Sequence, residues 1–300
     1  MKKISQNAIG VVTALLAVFL FSSKAILVKL IYEFEVPTIH ILLLRMLFAL
    51  PFYTGILWFQ RKKTRQKVTR KHYAWLLVFG VMGYYLASFF DFYGLKYLTA
   101  SLERIILFVY PTLVVLIGAL FLKTKITKQQ AIAIVITYLG VFLTFASELQ
   151  IHHDRHLFVG VGLIFMSALT YASYLVGSGW LIPKFGTVRF TSIAMIVACV
   201  SVLVHYLFTD RISILNYSKE VYLYALVMAF FCTVLPSYLV SFAIQKLGAS
   251  KFSIIGSVGP VFTILVAALV LGERITFVQA IGVVVVIIGV RVVSKKEKNG

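Results

Sequence analysis

Residues 98–111, LTASLERIILFVYP, and residues 247–260, LGASKFSIIGSVGP, are one segment written twice, and their register of 149 positions runs without a gap to residues 143 and 292. Ala100 and Ala249, Ser101 and Ser250, and Pro111 and Pro260 are matching identities, and the run Ile-Thr-x-x-Gln-Ala-Ile recurs from Ile126 and from Ile275. Chance apolar matching does not hold one register for so long, so the chain is a duplicated unit. An internal repeat in a membrane-type composition is a recurring mark of secondary transporters, whose halves pack around one solute site.

That composition is plain. Apolar residues make up 61% of the 300-residue chain, charged residues only 13%, and mean hydropathy is +0.96, against roughly a quarter charged in soluble domains. The apolar stretches predict an all-α integral membrane protein with ten transmembrane helices near residues 8–31, 38–59, 73–95, 98–122, 129–147, 157–180, 189–208, 221–244, 250–271 and 277–293. Two five-helix repeats, 1–147 and 157–293, would then be followed by a basic tail, 294–300. Little is left for an extramembrane catalytic domain. The start, Lys2-Lys3 then Val11 to Phe21 then Ser23-Lys24-Ala25, imitates a secretory signal, but its removal would cost the first repeat a helix, so it is read as the first span.

The formal charge of +19 would suggest nucleic acid in a soluble protein. Here it follows the orientation rule for membrane helices. With both termini cytoplasmic, one face collects twenty Lys and Arg, seven of them between Arg61 and Lys71, and the other face five, together with seven of the ten acids. No nucleic-acid partner is expected; the partners are the lipid bilayer of an inner membrane and a small-molecule substrate. Five spans per repeat is odd, so the second copy must be inverted. The loop charges agree: Lys123-Thr124-Lys125 suits the cytoplasm, whereas the duplicate corner, Gly272-Glu273-Arg274, suits the outer face.

At Leu247-Gly248-Ala249-Ser250, Gly259-Pro260, Leu271-Gly272-Glu273-Arg274-Ile275-Thr276, Gln279-Ala280-Ile281-Gly282 and Ile288-Gly289-Val290, and at Arg45-Met46-Leu47-Phe48-Ala49, the chain resembles the EamA type of the drug/metabolite transporter superfamily. The resemblance covers nearly the whole length. It implies a ten-helix carrier of small metabolites, drugs or amino acids, often exporting, with a cavity open alternately to either side. The first copy departs from the pattern in carrying Lys-Thr-Lys where Gly-Glu-Arg is expected.

Six ionisable groups fall inside the expected spans, all in the first half: Lys24, Lys29, Arg45, Asp91, Glu103 and Arg104. Each costs a few kcal/mol at mid-bilayer. At 1.5 Å rise per residue, all but Lys29 share a layer about 6–11 Å below the outer surface, and Lys29 is close enough to the interface to snorkel. Tyr84, Ser88 and Asp91 stack on one face of the third helix. Two readings stand side by side: structural ion pairs that hold the helices, or a solute site in which Lys24, Arg45 and Arg104 attract a carboxylate while Asp91 or Glu103 binds an amine or carries a coupling proton. The second half adds no charge to its spans, but offers Tyr171, Ser173, Tyr174, Ser178 and Trp180, and Ser237, Tyr238 and Ser241, for the opposite wall. Pro111 and Pro260 sit at duplicate positions where a bend, static or hinged, is expected.

No Gly-x-x-x-x-Gly-Lys-Ser/Thr, His-Glu-x-x-His or Gly-x-Ser-x-Gly run occurs, so neither a nucleotide nor a metal or other cofactor is expected, and the protein is read as no enzyme. His152, His153 and His156 read as a solvated loop rather than a metal site, and Cys199 and Cys232 as buried thiols. The rivals are an intramembrane enzyme acting on lipid or peptide and a non-transporting membrane receptor.

Overall fold

The structure, a computed structural model, describes residues 6–60, 68–122, 128, 131–132, 135–136, 138–140, 142–143, 156–209, 214–273 and 276–294. Among them there is no strand. Backbone polar groups in lipid must be satisfied within the segment, and helices do this without a partner. The helices are α1 (Gln6–Ser22), α2 (Lys24–Tyr32), α3 (Thr38–Phe59), α4 (Arg70–Gly80), α5 (Ala87–Gly94), α6 (Ala100–Leu107), α7 (Tyr110–Leu122), α8 (His156–Phe185), α9 (Thr187–Thr209), α10 (Lys219–Ala229), α11 (Leu235–Leu247), α12 (Ala249–Ile255), α13 (Gly259–Val270) and α14 (Phe277–Ser294).

Joined end to end, these give seven segments long and apolar enough to cross a bilayer: 8–32, 38–59, 70–94, 100–121, 156–185, 187–209 and 219–247. Two more helical stretches, 249–270 and 277–294, follow. The expected helix at 129–147 falls largely outside the described residues, although the described positions from 128 to 143 are helical. The basic run 61–67, the corner 123–127, His152, His153, Arg274 and the tail beyond residue 294 also lie outside them.

Several spans expected to be continuous are interrupted, and the interruptions follow the duplication. A π turn at Val81–Leu86 joins α4 to α5, and a second at Phe230–Val234 joins α10 to α11. Their starts are 149 positions apart. The break between α6 and α7 at Phe108–Val109 likewise has its counterpart in the 3-10 turn Gly256–Val258 between α12 and α13. Pro111 and Pro260 therefore do not bend an intact helix. Each lies in the first turn of a new one, where its missing N–H has no intrahelical acceptor to lose. The break at Ser23, between α1 and α2, has no such twin, because its duplicate position, Ala172, lies inside the unbroken α8.

One end of the bundle gathers Tyr32, Pro37 and Lys96 around a shallow pocket, His156 stacked on Tyr97, and Glu273 on the start of α6. The other gathers Gln60, Phe185, Gly186 and Gln245. Between them the helices pack tightly enough to need glycine: a Cβ on Gly83 would overlap the Tyr174 ring and lie only 2.6 Å from the Tyr174 Cβ. Gly83→Val is accordingly expected to destabilise by about 1–3 kcal/mol through overpacking, read as a lower midpoint of thermal unfolding in detergent.

Candidate functional site

The break at Ser23 organises the site. A helix interrupted in lipid exposes carbonyls that need donors, and two side chains from elsewhere supply them. Arg104 Nη2 donates to Phe21 O at 3.0 Å, and Thr263 Oγ1 donates to Ser22 O at 3.2 Å. Arg104 Nε also donates to Thr263 Oγ1 at 3.0 Å, and Ser22 Oγ, which donates to Val18 O at 2.7 Å, shares its proton with Gly259 O at 3.2 Å. α1, α6 and α13 are thus laced together around one interruption.

Lys24 is the first residue of α2. The positive end of the helix dipole disfavours a cation there, and the Asp91 carboxylate from α5 holds it in an ion pair and hydrogen bond. Lys24 Nζ and the Arg45 guanidinium both sit over the Phe92 ring, 5.6 and 4.7 Å from its centroid. Aromatic faces attract cations most strongly where water is excluded.

Arg45 differs from its neighbours. It is 2% exposed, and its Nε and Nη2 have no hydrogen-bond partner. Those two nitrogens form one edge of the guanidinium, the fork that grips a carboxylate bidentately. Nearby, Asp91 Oδ1 and both Glu103 oxygens lack a donor, and the two carboxyls face each other. One proton held between them would supply it. Glu103 Oε2 is 3.9 Å from Arg104 Nε, an ion pair too long for a hydrogen bond.

A cavity of about 70 Å³ lies against these groups, polar and roomy enough to hold ordered water. Lys24, Arg45 and Arg104, with the neutral hydroxyl of Ser88, form its polar side. Tyr84, Tyr110, Phe108 and Tyr171 form an aromatic side, on which the Tyr110 and Tyr171 rings meet edge to face at 5.3 Å. Thr233, Phe252, Gly256 and Gly259 contribute from the second half. Three buried cations against two carboxyls leave positive charge uncompensated there.

Six of the residues singled out in the sequence line this cavity: Lys24, Arg45, Tyr84, Ser88, Arg104 and Tyr171. Asp91 and Glu103 stand behind it as partners of the cations, and Tyr174 packs behind Tyr84 and Tyr171. Trp180 does not belong. It is 40% exposed near the Gln60 end, against His72 and Trp75, because six residues past Tyr174 is 600° of helix and a different face. Lys29 lies at the Glu273 end, beside Tyr32 and Glu35. Tyr110, Phe108 and Thr263 were overlooked. Tyr110 had a signal, since it stands beside the duplicated Pro111 where the second copy has Gly259.

Interrupted apolar helices around a buried, cation-rich cavity define a multi-pass membrane protein with an internal polar site. Residues 8–146 and 158–295 both match the model of the EamA-like transporter family, and the chain belongs to that family. It is 30% identical over 287 residues to the uncharacterized transporter YcbK of Bacillus subtilis (strain 168), covering 93% of this chain and 91% of that one. It is 32% identical over 253 residues to the uncharacterized transporter YyaM of the same organism, covering 83% and 79%. A solved crystal structure shares the fold at a TM-score of 0.69 and 15% identity, covering 95% of this chain and 97% of its own. The protein is a membrane transporter by family.

Proposed function

We propose that the protein is a secondary active transporter that carries a small organic solute bearing a carboxylate across the cytoplasmic membrane by alternating access. The observation that carries this reading is the unpartnered Nε and Nη2 edge of Arg45, buried beside a cavity with surplus positive charge. A guanidinium edge out of water with no acceptor is costly, and a solute carboxylate is a fitting acceptor. Arg104 and Lys24 add to the attractive field, Ser88 offers a hydroxyl, and the tyrosines receive the body of the solute. Asp91 and Glu103 hold the coupling proton.

The same reading makes the Glu273 end the outer face and places both termini in the cytoplasm, with the two repeats inserted in opposite orientations. It is supported by the twenty-to-five split of basic residues and by interruptions recurring at two repeat positions. The test is a thermal-shift screen of purified protein with small carboxylic acids, each beside its neutral primary amide. A ligand of the native state raises apparent stability by mass action, by about 2.7 kcal/mol at a hundred times its dissociation constant. Stabilisation by acids and not by their amides is expected; equal response to both would remove the anion site.

A further inference from the structure

Glu273 performs a task that neither the charge layer nor the cavity explains. Its backbone follows Gly272, whose φ of +66° turns the chain sharply after α13, and its carboxylate lands on the first turn of α6, 172 to 173 positions away. Ala100 N donates to Oε1 at 2.7 Å, Ser101 N to Oε2 at 3.0 Å and Ser101 Oγ to Oε2 at 2.6 Å. The next amide, Leu102 N, is capped from within its own repeat by Thr99 Oγ1 at 3.2 Å. The opening amides of a first-repeat helix are therefore completed by a carboxylate of the second repeat, in bonds that charge and helix dipole both strengthen.

The helix that leads into this corner, α13, meets α6 again one turn deeper, where Arg104 donates to Thr263. Parting α6 from α13 and its corner at this end breaks both contacts, and beneath them lie Ser88 and Asp91, each no more than 7% exposed. The duplication supplies the comparison. Ala249 and Ser250 repeat Ala100 and Ser101 at the start of α12, but the residue that repeats Glu273 is Thr124. A short neutral hydroxyl stands in the register where the other copy carries a charged acceptor.

We propose that Glu273 is the latch of the door at its own end of the bundle, and that the substitution of Thr124 at the duplicate position leaves that door the more firmly shut of the two in the empty protein. This rests on the alternating-access reading above and adds which door is held, by which atoms. Release of the carboxylate admits solvent to the cavity from the Glu273 face.

The test uses full-length protein in sealed membrane vesicles with no solute. Ser88→Cys is labelled with a membrane-impermeant maleimide from the Glu273 face, and Ser237→Cys, a buried position bonded to Tyr53 toward the other end, from the opposite face. Glu273→Ala is expected to speed labelling at position 88 by about ten-fold or more, the scale of a lost charge-assisted bond, and Glu273→Gln, which keeps one acceptor, by less. Labelling at position 237 stays unchanged or slows. No gain at position 88 in either variant overturns the latch, and so does an equal gain at both positions, which is general loosening. Because no solute enters this experiment, its failure leaves the anion site standing, and loss of the acid-over-amide preference leaves the latch standing.

Discussion

Arg45→Ala is expected to abolish stabilisation by whichever carboxylate binds, and transport of it, while the protein still folds and inserts. Truncating one partner of a desolvated, hydrogen-bonded charge pair costs about 2–5 kcal/mol in binding, or roughly 30- to several thousand-fold in affinity. The variant is expected to fold at reduced stability, since Nε and Nη2 make no bond in the empty protein, while the packing of a fully buried side chain over Phe92 and the attraction of Asp91 are lost. Arg45→Lys keeps the charge without the planar fork and is expected to recover little. Affinity measured by thermal shift or tracer binding decides it. A variant that binds and carries as well as the parent would put the solute elsewhere.

The second large effect is on stability. Asp91→Leu removes the direct ion-pair partner of Lys24 at the positive end of α2, leaving only the Glu103 carboxyl behind it, and breaking a buried pair from one side costs about 3–5 kcal/mol. The expected result is a steep drop in unfolding midpoint or failure to accumulate in the membrane. Lys24→Met together with Asp91→Leu removes both charges and is expected to recover most of the loss, because replacing a whole buried pair by apolar groups is often neutral. The double variant also separates the two readings of these charges. If it is stable and still binds solute, the pair is a structural clasp; if it is stable and inert, Lys24 and Asp91 belong to the transport machinery.

Much of this was readable before any coordinate. The repeat between residues 98 and 292 gave the duplication, the apolar runs gave helices in lipid, and the cost of burying charge put Lys24, Arg45, Asp91, Glu103 and Arg104 together although they lie on different helices. Pairing was not readable. That Asp91 takes Lys24, and that Arg45 is left with a free edge, depends on helix rotations of a few tens of degrees. The break at Ser23 was invisible because two small hydroxyl residues after Phe21 can sit inside a span, and the donors that satisfy its freed carbonyls, Arg104 and Thr263, lie more than eighty positions away. Trp180 was misplaced for a related reason: composition drew it toward the tyrosines, and only the angle around α8 separates them. The contact of Glu273 with α6 joins a corner to a helix start that no local pattern connects.

The π turn at Val81–Leu86 has one more consequence. A π turn accommodates one residue more than the α-helix would, so it works as a phase shifter: everything beyond it is rotated by about 100° relative to an uninterrupted helix. Ser88 faces the cavity and Asp91 meets Lys24 only in that shifted phase. Deleting a single residue within Val81–Leu86 would restore a regular helix and swing the carboxylate toward a different neighbour, a loss of alignment that no change of side chain in the site itself would mimic.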